Sequence, residues 1–194
     1  MKRWLLIIAV ALSLTGCGYN DFQRLDEQSK SAWSEVLNQY QRRADLVPNL
    51  VATVKGSAAF ERETLQQVVE ARSRVGQVSA GATAEILDDP QRFAQFQQAQ
   101  DQLSSALSRL LVVVERYPEL KAVANFTDLQ HQLEGTENRI NVERNRFNEV
   151  ARAYNTMVKR VPAAWFVRLL GWRFQEKPYF AAQPGAETAP QVQF

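Results

Sequence analysis

One cysteine and one histidine stand in 194 residues, and that scarcity removes whole classes of chemistry. A lone thiol cannot close a disulfide within its own chain. The carboxylate-bridged two-metal centres of helical bundles need a carboxylate-x-x-His from each of two helices. Asp128, His131 and Glu134 supply half of such a set, and there is no second histidine to complete it. No Gly-rich phosphate loop is present among the 8 glycines. No stretch sustains period-two alternation between turn signals, which argues against a sheet. Net charge is only +2 with no basic stripe, so the footprint of a nucleic-acid binder is missing. Nor does any apolar run reach the roughly 20 residues of a comfortable bilayer span.

What is present begins at the N-terminus. Lys2 and Arg3 precede an apolar run from Trp4 to Leu14, the flanks and length of an export signal. Its end reads Leu14-Thr15-Gly16-Cys17, which resembles the lipobox of bacterial lipoproteins, where the thiol is acylated and the chain is cut before it. Residues 1–16 are therefore expected to be a signal peptide and Cys17 a lipidation site carrying fatty acyl chains of the palmitate class. Each buried methylene contributes about 0.8 kcal/mol, so two or three chains anchor stably. Gly18 stands where an aspartate would resemble an inner-membrane retention signal. The expectation is an outer-membrane anchor facing the periplasm of a bacterial envelope; the bland alternative is an uncleaved signal anchor. Loss of Lys2 and Arg3 leaves 21 cations against 21 anions. An acylated Cys17 and one histidine cannot form a Ser-His-Asp or Cys-His set.

The body reads as long helices. Phe126, Leu129, Leu133, Thr136, Ile140, Glu143, Phe147, Val150, Tyr154, Met157 and Val161 recur at alternating steps of three and four. Phe93, Phe96, Leu103, Leu107, Leu110, Val114 and Tyr117 make a similar stripe with Gln100 in its polar gap. Asp88 or Asp89 is placed to cap it, with Pro90 in the first turn. Phe22, Leu25, Ser29, Ala32, Val36 and Tyr40 line a first helix beside Trp33. Leu50, Val54, Leu65, Val68 and Val75 suggest another, followed by the small-residue loop at 79–84. Pro48, Pro90, Pro118 and Pro162 are the natural joints. Residues 44–48 form either a tight turn between two helices or a kink in one very long helix; the turn is preferred, because one helix of that extent would run about 80 Å. The fold class is then all-α, an antiparallel four-helix bundle of long helices over 17–162 behind an N-terminal signal or lipid anchor. An apolar amphipathic segment at 163–180 and a flexible tail at 181–194 follow.

Several strings in order carry a family resemblance: RRADLVPNLVATVKG at 42–56, YPELK at 117–121 and TENRI at 136–140. The pairs Phe147-Asn148 and Tyr154-Asn155, with Tyr19-Asn20 and Trp33-Ser34 in the opening helix, fit the same pattern. Together they resemble the LemA family across nearly the whole body. The resemblance implies a membrane-held antiparallel four-helix bundle with no established enzymatic activity and no cofactor, in a family often encoded near membrane zinc peptidases and other envelope proteins. Many relatives carry an N-terminal transmembrane helix where this chain has a lipobox.

Candidate sites follow from these strings. Arg42, Arg43, Asp45 and Asn49 adjoin the Pro48 joint, where backbone groups lose helical partners. Their structural role is to satisfy that joint; the sharper one is a recognition patch. Glu137 and Arg139 face Glu115 and Arg116 as candidate inter-helix polar groups, a Glu–Arg pair fixing register or a site for a polar ligand. The segment 162–180 concentrates Trp165, Phe166, Leu169, Leu170, Trp172 and Phe174 with Arg168, Arg173 and Lys177. It either lies on a membrane or partner or folds over the bundle end, its exposed face (Trp165, Phe166, Arg168, Trp172, Arg173) being the candidate contact surface. The leading expectation is a non-catalytic scaffold or adaptor for other envelope proteins, able to self-associate as a homo-oligomer. The alternative is a bundle binding a lipid or small apolar ligand between its helices. An enzyme built only on Arg, Asp, Glu and Asn ranks third.

Overall fold

The computed structural model describes residues 2–56, 61–160 and 175–181, with side chains from residue 20 onward. Among the described residues the chain is all-helical: α1 (Lys2–Lys55), α2 (Arg62–Ser79), a 3-10 turn (Ala84–Asp88), α3 (Pro90–Val114), the short α4 (Pro118–Lys121) and α5 (Ala124–Lys159). No described helix is long and apolar enough to cross a membrane.

The turn expected at 44–48 is not there. Helix α1 runs through it with Pro48 inside, and the chain breaks only after Lys55. A proline at this position removes the hydrogen bond to the carbonyl four residues earlier, that of Ala44. Arg72 of α2 supplies the missing donor, its Nε reaching the Ala44 carbonyl at 3.2 Å. The helix is also held by burial on both sides of the proline: Tyr40, Arg43, Val47, Leu50, Val51 and Val54 continue one inward line. Packing here overrides the length argument, since a long helix needs a long partner more than an intrinsic propensity.

Asp89, not Asp88, caps α3. Its Oδ1 accepts from the backbone N–H of Gln91 and Arg92 at 3.0 and 3.1 Å, with Pro90 in the first turn where its lost donor matters least. Along α5 the buried line is Phe126, Leu133, Thr136, Ile140, Arg144, Phe147, Ala151, Tyr154 and Asn155. Arg144 and Ala151 thus take the places expected of Glu143 and Val150. Hydropathy could not show this, because Arg144 is interior only by virtue of partners on other helices.

Helices α1 and α5 run antiparallel: Phe22 meets Tyr154, Tyr40 meets Arg144 and Arg43 meets Glu137. Helices α2 and α3 form a second antiparallel pair, tied by Arg74–Gln102 and closed at one end by Arg116–Glu61. The interior divides into two cores. One is aliphatic, built on Val47, Leu50, Val54, Leu65, Val68, Leu103, Leu107, Leu110 and Leu133. The other is aromatic, built on Trp33, Tyr40, Phe93, Phe96, Phe147 and Phe180. Edge-to-face and tilted rings surround Trp33, with Phe96, Phe93 and Phe147 at 5.2, 5.6 and 5.8 Å, geometries that add to simple burial.

Candidate functional site

A polar layer separates the two cores. Arg43 is fully buried on α1, and its guanidinium reaches two other helices at once, α3 and α5. Nη1 donates to Glu137 Oε2 at 3.0 Å and to Ser104 Oγ; Nη2 donates to Gln100 Oε1 at 2.6 Å and to the Gln100 carbonyl at 3.1 Å. Ser104 in turn donates to Glu137 at 2.9 Å. The planar fork of arginine suits this arrangement, where one point charge could not reach both acceptors. One turn away Arg144 donates to the Tyr40 hydroxyl and to Asp101 Oδ1, the latter at 2.8 Å. Burial raises the Tyr40 hydroxyl to about 12 against the opposing pull of Arg144 and Arg43. Burial would lower Arg144, but Tyr40 and Asp101 outweigh it and hold its charge more firmly.

The second construction is a clamp on the extended chain at 175–181. Asn148 and Asn155 are seven residues apart on α5, two turns, so they share a face roughly 10.5 Å apart along the axis. Lys177 and Phe180 are three residues apart, about 10 Å in extended chain. The spacings match, and each asparagine meets one residue's backbone. Asn155 donates to the Lys177 carbonyl and accepts its N–H, both at 2.8 Å. Asn148 does the same for Phe180 at 3.0 and 2.9 Å. Both amides thereby imitate a neighbouring strand.

Side chains complete the grip. The Lys177 ammonium is only 4% exposed and lies 2.7 Å from Asp88 and 3.1 Å from Asp26, 5.3 Å from the Tyr154 ring centroid. Burial raises the Asp26 carboxyl, but Lys30 and Lys177 overcome this and leave it below its ordinary value. Burial, aided by Asp26 and Asp88, raises the Tyr154 hydroxyl. Phe180 enters the aromatic core, 4.9 Å from Phe93, 5.6 Å from Phe147 and 6.0 Å from Trp33, while the Arg144 guanidinium stands 4.9 Å from its ring.

The residues singled out in the sequence scatter more than expected. Arg43 is interior, but Arg42, Asp45 and Asn49 are exposed. Asp45 accepts from Gln41 at 2.8 Å. The joint they adjoin is satisfied by Arg72 instead. Glu115 and Arg116 do not meet Glu137 and Arg139 either. Glu115 pairs with Lys121 at 2.6 Å and Arg116 with Glu61 at 2.9 Å, and Arg139 is exposed, while Glu137 turns to Arg43. Trp165, Phe166, Arg168, Trp172 and Arg173 lie outside the described residues, as do residues 182–194 and the Cys17 side chain. His131 is solvated, 3.9 Å from Glu134. Among the described residues no cluster of His, Cys, Asp or Glu could hold a metal ion.

Lys177, Asp26, Asp88, Tyr40, Arg144 and Asp101 were not singled out as sites. The one available signal was the heptad spacing of Asn148 and Asn155. Among the described residues, grooves lie outside the cores. One of about 720 Å³ between α2 and α3 is lined by Glu70, Arg74, Gln98, Gln102 and Arg109 among others. One of about 350 Å³ between α1 and α2 is lined by Leu37, Gln41, Asp45, Arg72 and Val75 among others. Both mix charged and amide side chains with apolar lining groups.

An all-helical body with a buried arginine layer defines a structural class, and comparison assigns the family. Residues 32–194 match the profile described as the LemA family, and the chain belongs to it. It is similar to magnetosome protein MamQ 2 of Paramagnetospirillum magneticum, 26% identical over 184 residues, 88% of this chain and 67% of that protein. Magnetosome protein MamQ of Magnetospirillum gryphiswaldense is 26% identical over 191 residues, 90% of this chain and 70% of that protein. Protein LemA of Metamycoplasma hominis is 21% identical over 139 residues, 72% of this chain and 58% of that protein. Two of the strings that resemble the family, 42–56 and 136–140, meet physically in the Arg43–Glu137 pair.

Proposed function

We propose that this protein is a non-catalytic, lipid-tethered scaffold or adaptor of the bacterial cell envelope, an antiparallel four-helix bundle displayed on the periplasmic side, preferentially of the outer membrane. The observation that carries the reading is the string Leu14-Thr15-Gly16-Cys17 behind a cationic and apolar leader. Helix α1 continues from that string into the body without a break. An acyl anchor at Cys17 would then be joined to the bundle by helix and not by a loose linker, holding it close to the bilayer. Relatives named for the magnetosome are named for an assembly and not for a reaction, which favours a structural role. Exposed Arg42, Asp45 and Asn49, with Trp165, Phe166, Arg168, Trp172 and Arg173, are the residues proposed to contact other envelope proteins.

Intact-mass analysis of the membrane fraction tests the anchor. The expected wild-type chain has lost residues 1–16 and gained acyl mass, while Cys17→Ala has done neither. An unmodified wild-type chain retaining its leader overturns the tether. The scaffold role is tested by crosslinking in cells and recovery of partners; recovery of nothing above background overturns it.

A further inference from the structure

We propose that the clamp is a receptor for an extended Lys-x-x-Phe segment and that it accepts residues 175–181 of a second copy, so that two chains exchange their C-terminal segments. This goes beyond the scaffold reading and does not depend on a membrane tether.

Every recognising group belongs to the helical body. Asp26 and Asp88 take the ammonium of Lys177, Trp33, Phe93 and Phe147 take the ring of Phe180, and Asn155 and Asn148 read the two backbones. The segment contributes only an extended chain with a cation and an aromatic ring three residues apart. This is how peptide grooves work: main-chain bonds supply affinity and side-chain pockets supply register. The acidic pair fits a cation and the aromatic box fits a ring, so a slipped register would place neither. Such a groove cannot distinguish its own segment from the identical segment of a neighbour.

The connection permits both. Fourteen residues, 161–174, separate Arg160 from Gln175, a contour of up to about 50 Å at full extension. Returning to the chain's own groove needs only part of that reach, because Lys177 docks on Asn155, just before the end of α5. The contacts made in cis and in trans are the same. The balance is then set by the local concentration the connection imposes against the concentration of other chains. Reciprocal exchange fills both grooves and closes as a two-fold pair. The docking site lies at the end where Phe22 of α1 meets Tyr154 of α5, so two chains would join through that end.

A zero-length carbodiimide crosslink between an amine and a carboxylate reads this contact directly in the unaltered full-length protein. Unlabelled and nitrogen-15-labelled chains are mixed, incubated over a range of concentrations, crosslinked and digested. The expected result is Lys177–Asp88 or Lys177–Asp26 linked peptides joining a labelled to an unlabelled half, in a share that rises with protein concentration. Linked peptides of one isotope only, at every concentration, overturn the exchange. Lys177→Arg keeps the ion pair but removes the reactive amine; persistence of the same linked peptides in that variant overturns the assignment of the contact.

Discussion

Removing the carboxylate of Glu137 should harm the protein more than removing the arginine it serves. Arg43 is 1% exposed, whereas the Glu137 side chain keeps 33% of its surface. In Glu137→Ala the guanidinium stays buried with the neutral partners Ser104, Gln100 and the Tyr40 ring, and leaving a buried charge without its counter-ion costs about 3–5 kcal/mol. In Arg43→Met the remaining carboxylate can turn to water. Moreover, Arg43 Nε and Gln100 Nε2 have no protein partner even in the wild type, so an apolar stem of similar length gives up an incompletely satisfied network. Its cost should be about 1–2 kcal/mol. The double variant Arg43→Met/Glu137→Ala should fall within about 1 kcal/mol of Arg43→Met alone, because the buried charge is gone. For a chain of this size the Glu137→Ala loss corresponds to roughly 10 °C in Tm. Urea unfolding followed by helical circular dichroism measures all three. If Arg43→Met costs as much as Glu137→Ala, or if the double variant shows the sum of both, the asymmetry argument is wrong.

Phe180→Ala should destabilise by about 3–5 kcal/mol, the range for deleting a buried aromatic, and should expose Trp33 to a fluorescence red shift; an unshifted spectrum would contradict the packing. Asn155→Ala should speed hydrogen exchange at the Lys177 amide far more than at Phe180, and Asn148→Ala the reverse, as read by NMR or fragment mass spectrometry. Uniform exchange in both variants would refute the two-point clamp. Asp26 has its folded pKa below the unfolded value, so the stability it contributes is present above the ordinary carboxylate range and lost as pH falls through the folded pKa. Acid unfolding should therefore begin in that window and begin less sharply in Asp26→Asn. Tyr40 is shifted upward to about 12, so its contribution is present below about 10, the unfolded value, and is lost as pH rises from there towards the folded one. Tyr40→Phe should flatten the alkaline edge of a pH–stability curve, and an unchanged edge would exclude Tyr40 as its source.

Much of the fold was written in the spacing of apolar residues. The stripes of α3 and α5, the cap and proline at the start of α3 and the absence of strands among the described residues all follow from periodicity and local chemistry that a single segment carries with it. Pro48 shows the limit. Locally it argues for a turn, and only a donor 24 residues further along the sequence, on another helix, makes the continuous helix acceptable. Arg43 and Arg144 show it again. Each is a charge that solvent would claim, and each is interior because acceptors from two other helices converge on it. Sequence by itself determined the composition, the helical class, the string Leu14-Thr15-Gly16-Cys17 and the family strings, since these depend on residue type and short-range order. Tertiary structure alone decided which charges pair, where α1 ends and what Asn148 and Asn155 hold. Those outcomes rest on distances between residues far apart in the chain, and no local rule contains them.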